Sequence, residues 1–222
     1  ILAQGLRPPS RCHGELNVLC MATALGRRER IALQSALAGL VRILRQWEAA
    51  DTVSTEELEL GLDTLARDEY LSPAHAGLLG LVGLEQEALA SARGKLLRQR
   101  CSAAKRLEEL HGEMERLAEG VEALRTELGE GPEKLHVAQA SLTSLDVARG
   151  AFRAAAGALG AEAALRRSLL DAFAELRPGQ EDERRRLHIC WVERPFTPPE
   201  EGAQLDRLRR GAAEALERLA SA

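Results

Sequence analysis

The stretch that decides the fold runs from Leu107 to Leu128, LEELHGEMERLAEGVEALRTEL. Its apolar residues Leu107, Leu110, Met114, Leu117, Val121, Leu124 and Leu128 are spaced 3, 4, 3, 4, 3 and 4 residues apart. That is an a/d register held over three heptads, the seam one α-helix offers another. Glu108, Glu109, Glu113, Arg116 and Glu122 fill the other faces. Extended backward, the register meets Ala103, Arg100, Leu96, Arg93 and Leu89. Two arginines fall on that seam, so the packing there is expected to be looser or to involve a different partner.

The composition agrees with a helical chain. Leu (39) and Ala (37) make up about a third of the 222 residues, whereas Ile and Val total 12 and aromatics six. A β-sheet core draws on the residues that are scarce here. Leu, Ala, Glu and Arg at this density favour helices. With 45% hydrophobic and 29% charged residues the chain is too apolar for simple disorder.

Working outward, Leu33, Leu37, Leu40, Leu44 and Trp47 form one apolar helix face. Asp51–Val53 reads as a break, and Ser54 with Glu57 reads as a capping box that starts a new helix through Leu58, Leu62 and Leu65. Ser72-Pro73 signals another start. Gly129-Glu130-Gly131-Pro132 ends the central helix, and a second register follows at Leu135, Ala138, Leu142, Leu145, Arg149, Phe152, Ala156 and Leu159. Glu181–Arg186 reads as a solvated charge run, and Leu187–Val192 as a compact, β-tolerant apolar run. Thr197 and Glu200 form a capping box for a last helix carrying Leu205, Leu208, Ala212, Ala215 and Leu219.

The expected fold is therefore all-α and elongated, a long antiparallel coiled-coil hairpin with flanking N- and C-terminal helices. Residues 1–71 form an N-terminal helical region and 72–177 the hairpin, with its turn at 129–132. Residues 178–196 are a linker with the apolar segment 187–192, and 197–222 the C-terminal helix.

Site chemistry is sparse. There is no nucleophile elbow, Walker loop or dinucleotide fingerprint. Cys12 and Cys20 are eight residues apart, and no C-x-x-C pair exists, so a zinc site built from Cys12, His13, Cys20, His188 and Cys190 is disfavoured. No enzyme activity, cofactor or metal is expected. The four cysteines read as reduced thiols, which points to the cytoplasm, with cytoskeletal association or a nuclear location compatible. Ile1–Ser10 shows no charged segment leading into an apolar one, and no run of 18 apolar residues predicts a membrane span.

What remains is binding. The expected function is that of a non-catalytic coiled-coil subunit of a multi-protein assembly of cytoskeletal, centrosomal or kinetochore type. Its partners would be other coiled-coil proteins. The candidate partner-binding seams are Leu33, Leu37, Leu40, Leu44 and Trp47, the register Leu107–Leu128, the aromatics Trp191 and Phe196, and Leu205 with Leu208. Arg93, Lys95, Arg98, Arg100, Lys105 and Arg106 lie in a stretch with no acid between Glu87 and Glu108, a candidate docking face for an acidic partner. One alternative is a nucleic-acid- or chromatin-associated protein using that stretch. The net charge of −4 and the absence of interleaved aromatics argue against it. A second alternative is an autonomous helical bundle binding lipid or a small ligand.

Overall fold

The structure is a computed structural model that describes residues 27–71, 86–129, 145–193 and 199–221, with the backbone alone at 193 and 199–206. Five helices account for these residues: α1 (Arg27–Tyr70), α2 (Gln86–Leu128), α3 (Leu145–Glu175), α4 (Glu181–Glu193) and α5 (Pro199–Ser221). There is no strand among them, and the chain is all-α.

Side-chain pairings fix the topology. Gly39 faces Leu124, Gly120 faces Ile43 and Gly61 faces Ala103, so α1 and α2 run antiparallel. Arg149 reaches Leu128 and Arg167 reaches Glu108, so α2 and α3 form the second antiparallel pair, the expected hairpin. Gly61 also faces Phe173, which places α3 parallel to α1. The fourth position is filled in two pieces. His188 of α4 meets Glu59, while Arg209 of α5 pairs with Glu48 and Gln34 donates to the Leu219 carbonyl. Both pieces run antiparallel to α1. The result is an up-down-up-down bundle whose last helix is divided. At 44 residues, α1 is roughly 66 Å long, well beyond the breadth of a compact domain of this size.

The core divides in the same way. One apolar cluster joins Leu33–Ala50 of α1 to Leu110, Met114 and Val121 of α2, Phe152 and Leu159 of α3, and Leu208 and Ala212 of α5. The other joins Leu58, Leu62 and Leu65 of α1 to Leu107, Leu170, Phe173, Leu187 and Trp191.

Two expectations are corrected. Asp51–Val53 does not break the first helix; α1 runs through it. The hydroxyls of this stretch bond back to the preceding turn, Thr52 to the Glu48 carbonyl and Ser54 and Thr55 to that of Asp51, so they relieve no helix start. The charge run and apolar run of 181–192 are one helix, α4. Glu181, Asp182 and Glu183 sit in its first turn, where the helix dipole favours anions, and Gly179 turns the chain into it with φ +90°. Leu187 and Trp191, one helical turn apart, are buried, whereas Ile189 and Val192 face solvent. A short apolar run does not distinguish strand from helix by itself.

The register of α3 also shifts. Its buried positions include Ala148, Phe152, Ala155, Leu159, Glu162, Arg166, Leu170 and Phe173, while Leu145, Arg149 and Ala156 are only half-buried. Arg149 instead caps α2, donating from Nε to the Leu128 carbonyl at 2.6 Å, where the helix leaves its last carbonyls without partners. Gly129 follows at φ +82° and ends α2 as expected. The turn residues 130–132, the positions Leu135, Ala138 and Leu142, and the signals at 1–26, Ser72-Pro73 and Thr197 lie outside the described residues.

Close approach of α1 to its neighbours depends on Gly61. A Cβ there would sit 2.5 Å from Cζ of the buried Phe173 ring. Gly61→Val is expected to lower stability by about 1–3 kcal/mol in chemical denaturation, despite the poor helix propensity of glycine. A Cβ at Gly112 meets nothing within 4 Å, so Gly112→Ala is expected to raise stability by about 0.5–1 kcal/mol.

Candidate functional site

The two apolar clusters are separated by a polar layer. Its centre is Arg166 of α3, with a side chain 2% exposed. Nε donates to Glu162 Oε1 at 3.0 Å, Nη1 donates to Ser54 Oγ at 2.9 Å, and Nη2 donates to Asp51 Oδ1. The guanidinium also lies 4.7 Å from the ring centroid of Trp191. One group on α3 is thus tied to α1 by two bonds and to α4 by its face. A guanidinium carries five donors in a rigid fork, which suits a junction of several helices.

His111 of α2 stands at the same level, 2% exposed. Its Nε2 lies 3.2 Å from Glu115 Oε1, yet neither ring nitrogen has a partner in hydrogen-bond alignment. Burial pushes its pKa down from the ordinary histidine value. Glu115 and Glu108 of α2 oppose that shift, and Arg167 and Arg166 of α3 reinforce it. The Trp191 indole nitrogen is likewise buried without a partner.

The expected seams are found inside the bundle. Leu33, Leu37, Leu40, Leu44 and Trp47 are buried against α2, α3 and α5, and Leu208 is buried with them. Leu107, Leu110, Met114, Val121 and Leu128 are buried, and Leu117 and Leu124 are half-buried against the same core. Trp191 is 2% exposed. Phe196 and the Leu205 side chain lie outside the described residues. A partner using these stripes would have to displace one of the chain's own helices.

The basic stretch separates into two sets. Arg93 pairs with Asp68 of α1 at 2.8 Å, which also raises its pKa. Arg100 donates from Nη2 to the carbonyls of Leu176 at 2.5 Å, Phe173 at 3.3 Å and Ala174 at 3.4 Å, capping α3. These are the two seam arginines, and both are engaged within the chain. Lys95, Arg98, Lys105 and Arg106 are exposed on the outer side of α2. Among the described residues no cluster of His, Cys, Asp or Glu is arranged to hold a metal, and no helix is long and apolar enough to cross a membrane. Cys101 is exposed and Cys190 half-buried, both free. Cys190 lines a groove of about 430 Å³ between α3 and α4 with Leu169, Ala172, Leu176 and Leu187.

The polar layer itself was missed by sequence reasoning. Its signal was present as interruptions of apolar stripes: Glu162 and Arg166 continue the spacing of Ala155 and Leu159, and Asp51–Ser54 interrupts the α1 stripe. That these interruptions meet becomes visible only once the helix pairings are known. No protein-family model, curated protein or solved structure matches the chain.

Removing Arg166 leaves Asp51 and Glu162 without their shared cation, so Arg166→Ala is expected to cost about 3–5 kcal/mol in denaturant titration. Replacing the set together, Arg166→Met with Glu162→Leu and Asp51→Leu, should recover most of that loss, because no unpaired charge then stays buried. The lowered pKa of His111 also has a definite sign. The unfolded chain binds its proton at about pH 6.5, whereas the fold resists it, so stability is full above that pH. It is lost as pH falls from there toward the depressed folded value. Thermal melts between pH 7.5 and 5.5 should therefore fall more for the natural chain than for His111→Leu.

Proposed function

We propose that this chain is a non-catalytic helical subunit of a multi-protein assembly, and that helical partner proteins dock where α1 and α2 outrun α3. The observation that carries this reading is the state of Gln86–Ser102. None of these residues is buried, although Leu89, Leu96 and Leu97 lie among them and Leu97 is 60% exposed. Every later stretch of α2 is closed by α1 and α3. Here α3 has ended, its last carbonyls capped by Arg100, and no described residue of α3 continues along the seam, while α4 starts beside α1 with Arg184 3.8 Å from Glu69. An apolar helix face of this kind is completed by another helix. The setting of a cytoskeletal, centrosomal or kinetochore-type assembly in the cytoplasm is an analogy with other long helical bundles.

The closed core also favours a second reading, an autonomous bundle that carries a small apolar ligand. The α3–α4 groove beside Cys190 is where such a ligand would sit.

Affinity purification of the tagged chain from its native cells at moderate salt separates these. The assembly reading expects a stoichiometric set of helical proteins, lost on Leu89→Asp with Leu97→Asp while the far-ultraviolet circular dichroism is unchanged. Recovery of the chain alone, with those substitutions without effect, would contradict it.

A further inference from the structure

The outer sides of α1 and α2 carry a second pair of heptad patterns that the bundle does not use. On α1, Val53, Glu56, Leu60, Asp63 and Arg67 are spaced 3, 4, 3 and 4 apart and all are exposed. Leu60 is 48% and Val53 36% exposed, large apolar groups in the middle of an acidic stretch. On α2, Lys95, Arg98, Ser102, Lys105 and Glu109 show the same spacing, and all are exposed. Glu56, Lys95, Arg98 and Lys105 have no ion-pair partner among the described residues. Asp63 pairs only with Arg67 of its own stripe, at 2.6 Å.

The two stripes stand at one level of the molecule. Gly61 faces Ala103 and Arg93 bonds Asp68 across the α1–α2 pair. By that antiparallel alignment Glu56 is level with Lys105, Leu60 with Ser102, and Asp63 with Arg98. The acidic, apolar stripe and the basic stripe thus match position by position, but they point outward and do not meet within one chain.

We infer that a second copy of this chain covers both stripes, α1 of each copy lying antiparallel on α2 of the other. A twofold axis along the bundle produces this arrangement. It carries α1 onto the neighbouring α2 without changing level, so each contact is made twice. Glu56 then meets Lys105 and Asp63 meets Arg98 in both halves, and Leu60 is covered by the short Ser102. Arg67 opposite Lys95 is the one like-charge pairing, and it limits the contact at its outer end. A nucleic acid suits the basic stripe less well. Its cations are bounded by Glu87 and Glu108, and it has no aromatic residue on which a base could stack. This contact is on the outer faces of α1 and α2, apart from the unclosed seam proposed for partner proteins, so either can fail without the other.

Sedimentation equilibrium of the full chain at 50 and 500 mM salt tests the inference. The mass of two chains at low salt and of one at high salt is expected, because exposed pairs are screened. Arg98→Glu with Lys105→Glu, and separately Glu56→Lys with Asp63→Lys, should each weaken self-association about tenfold or more while helix content is retained. An equimolar mixture of the two charge-reversed chains should form a mixed dimer. A monomer at 50 mM salt, self-association that neither pair of substitutions changes, or a monomer whose basic stripe instead retains RNA would each overturn the inference.

Discussion

A guanidinium in a dry helical seam has to be neutralised from whichever helices touch it, and that requirement organises this bundle. Arg166 faces Asp51 and Ser54 on α1, Glu162 on its own helix and the Trp191 ring on α4. Apolar side chains tolerate a slip of one heptad, since one Leu resembles the next. A fork of donors satisfied at fixed points does not. The layer therefore sets the axial alignment of α1, α3 and α4 more strictly than the leucines above and below it. Its net effect on stability is small compared with its effect on register, because burying Arg166 and Glu162, and Asp51 in part, consumes much of what their pairing returns.

The other features of the fold follow from where that layer lies. It separates the cluster closed by α5 from the cluster closed by α4, at the level where the fourth position of the bundle changes from one helix to the other. It also explains the polar residues Asp51 and Ser54 in α1. Asp51 and Ser54 resemble a helix start because they are short and polar, but they are polar to meet Arg166, and α1 passes through them unbroken. His111 occupies the same level from α2, where burial lowers its pKa and the nearby Arg167 and Arg166 add to that shift. Two further arginines work at helix ends: Arg149 on the last carbonyl of α2, Arg100 on those of α3.

The sequence showed the helices better than their neighbours. The 3, 4 spacing from Leu107 to Leu128 and the stripe from Leu33 to Trp47 locate real buried faces, and both helices are where those patterns put them. Periodicity says that a face is covered, but not by what. The same stripes served equally well as seams for foreign helices, and only the pairings of Gly39 with Leu124 and Gln34 with Leu219 show that the chain covers them itself. Helix α4 was illegible for a different reason. With 13 residues, a run of charges and only Leu187 and Trp191 buried, it has too few turns for a period to stand out. The polar layer was illegible because it is a tertiary coincidence of residues up to 115 positions apart. The loose packing expected where Arg93 and Arg100 enter the seam is present, and its cause is the end of α3 rather than the arginines alone.

One chain completes its own four-position bundle, with α5 lying on α1. The most direct measurement is the distance between spin labels at Arg45→Cys on α1 and Arg210→Cys on α5, with the native cysteines replaced and the labelled chain diluted into unlabelled chain. A single narrow distribution at about 25 Å or less is expected, as for labels on helices whose axes are about 8–10 Å apart. A broad distribution extending toward the length of α1, roughly 66 Å, would mean that α5 leaves its own bundle, and would contradict it.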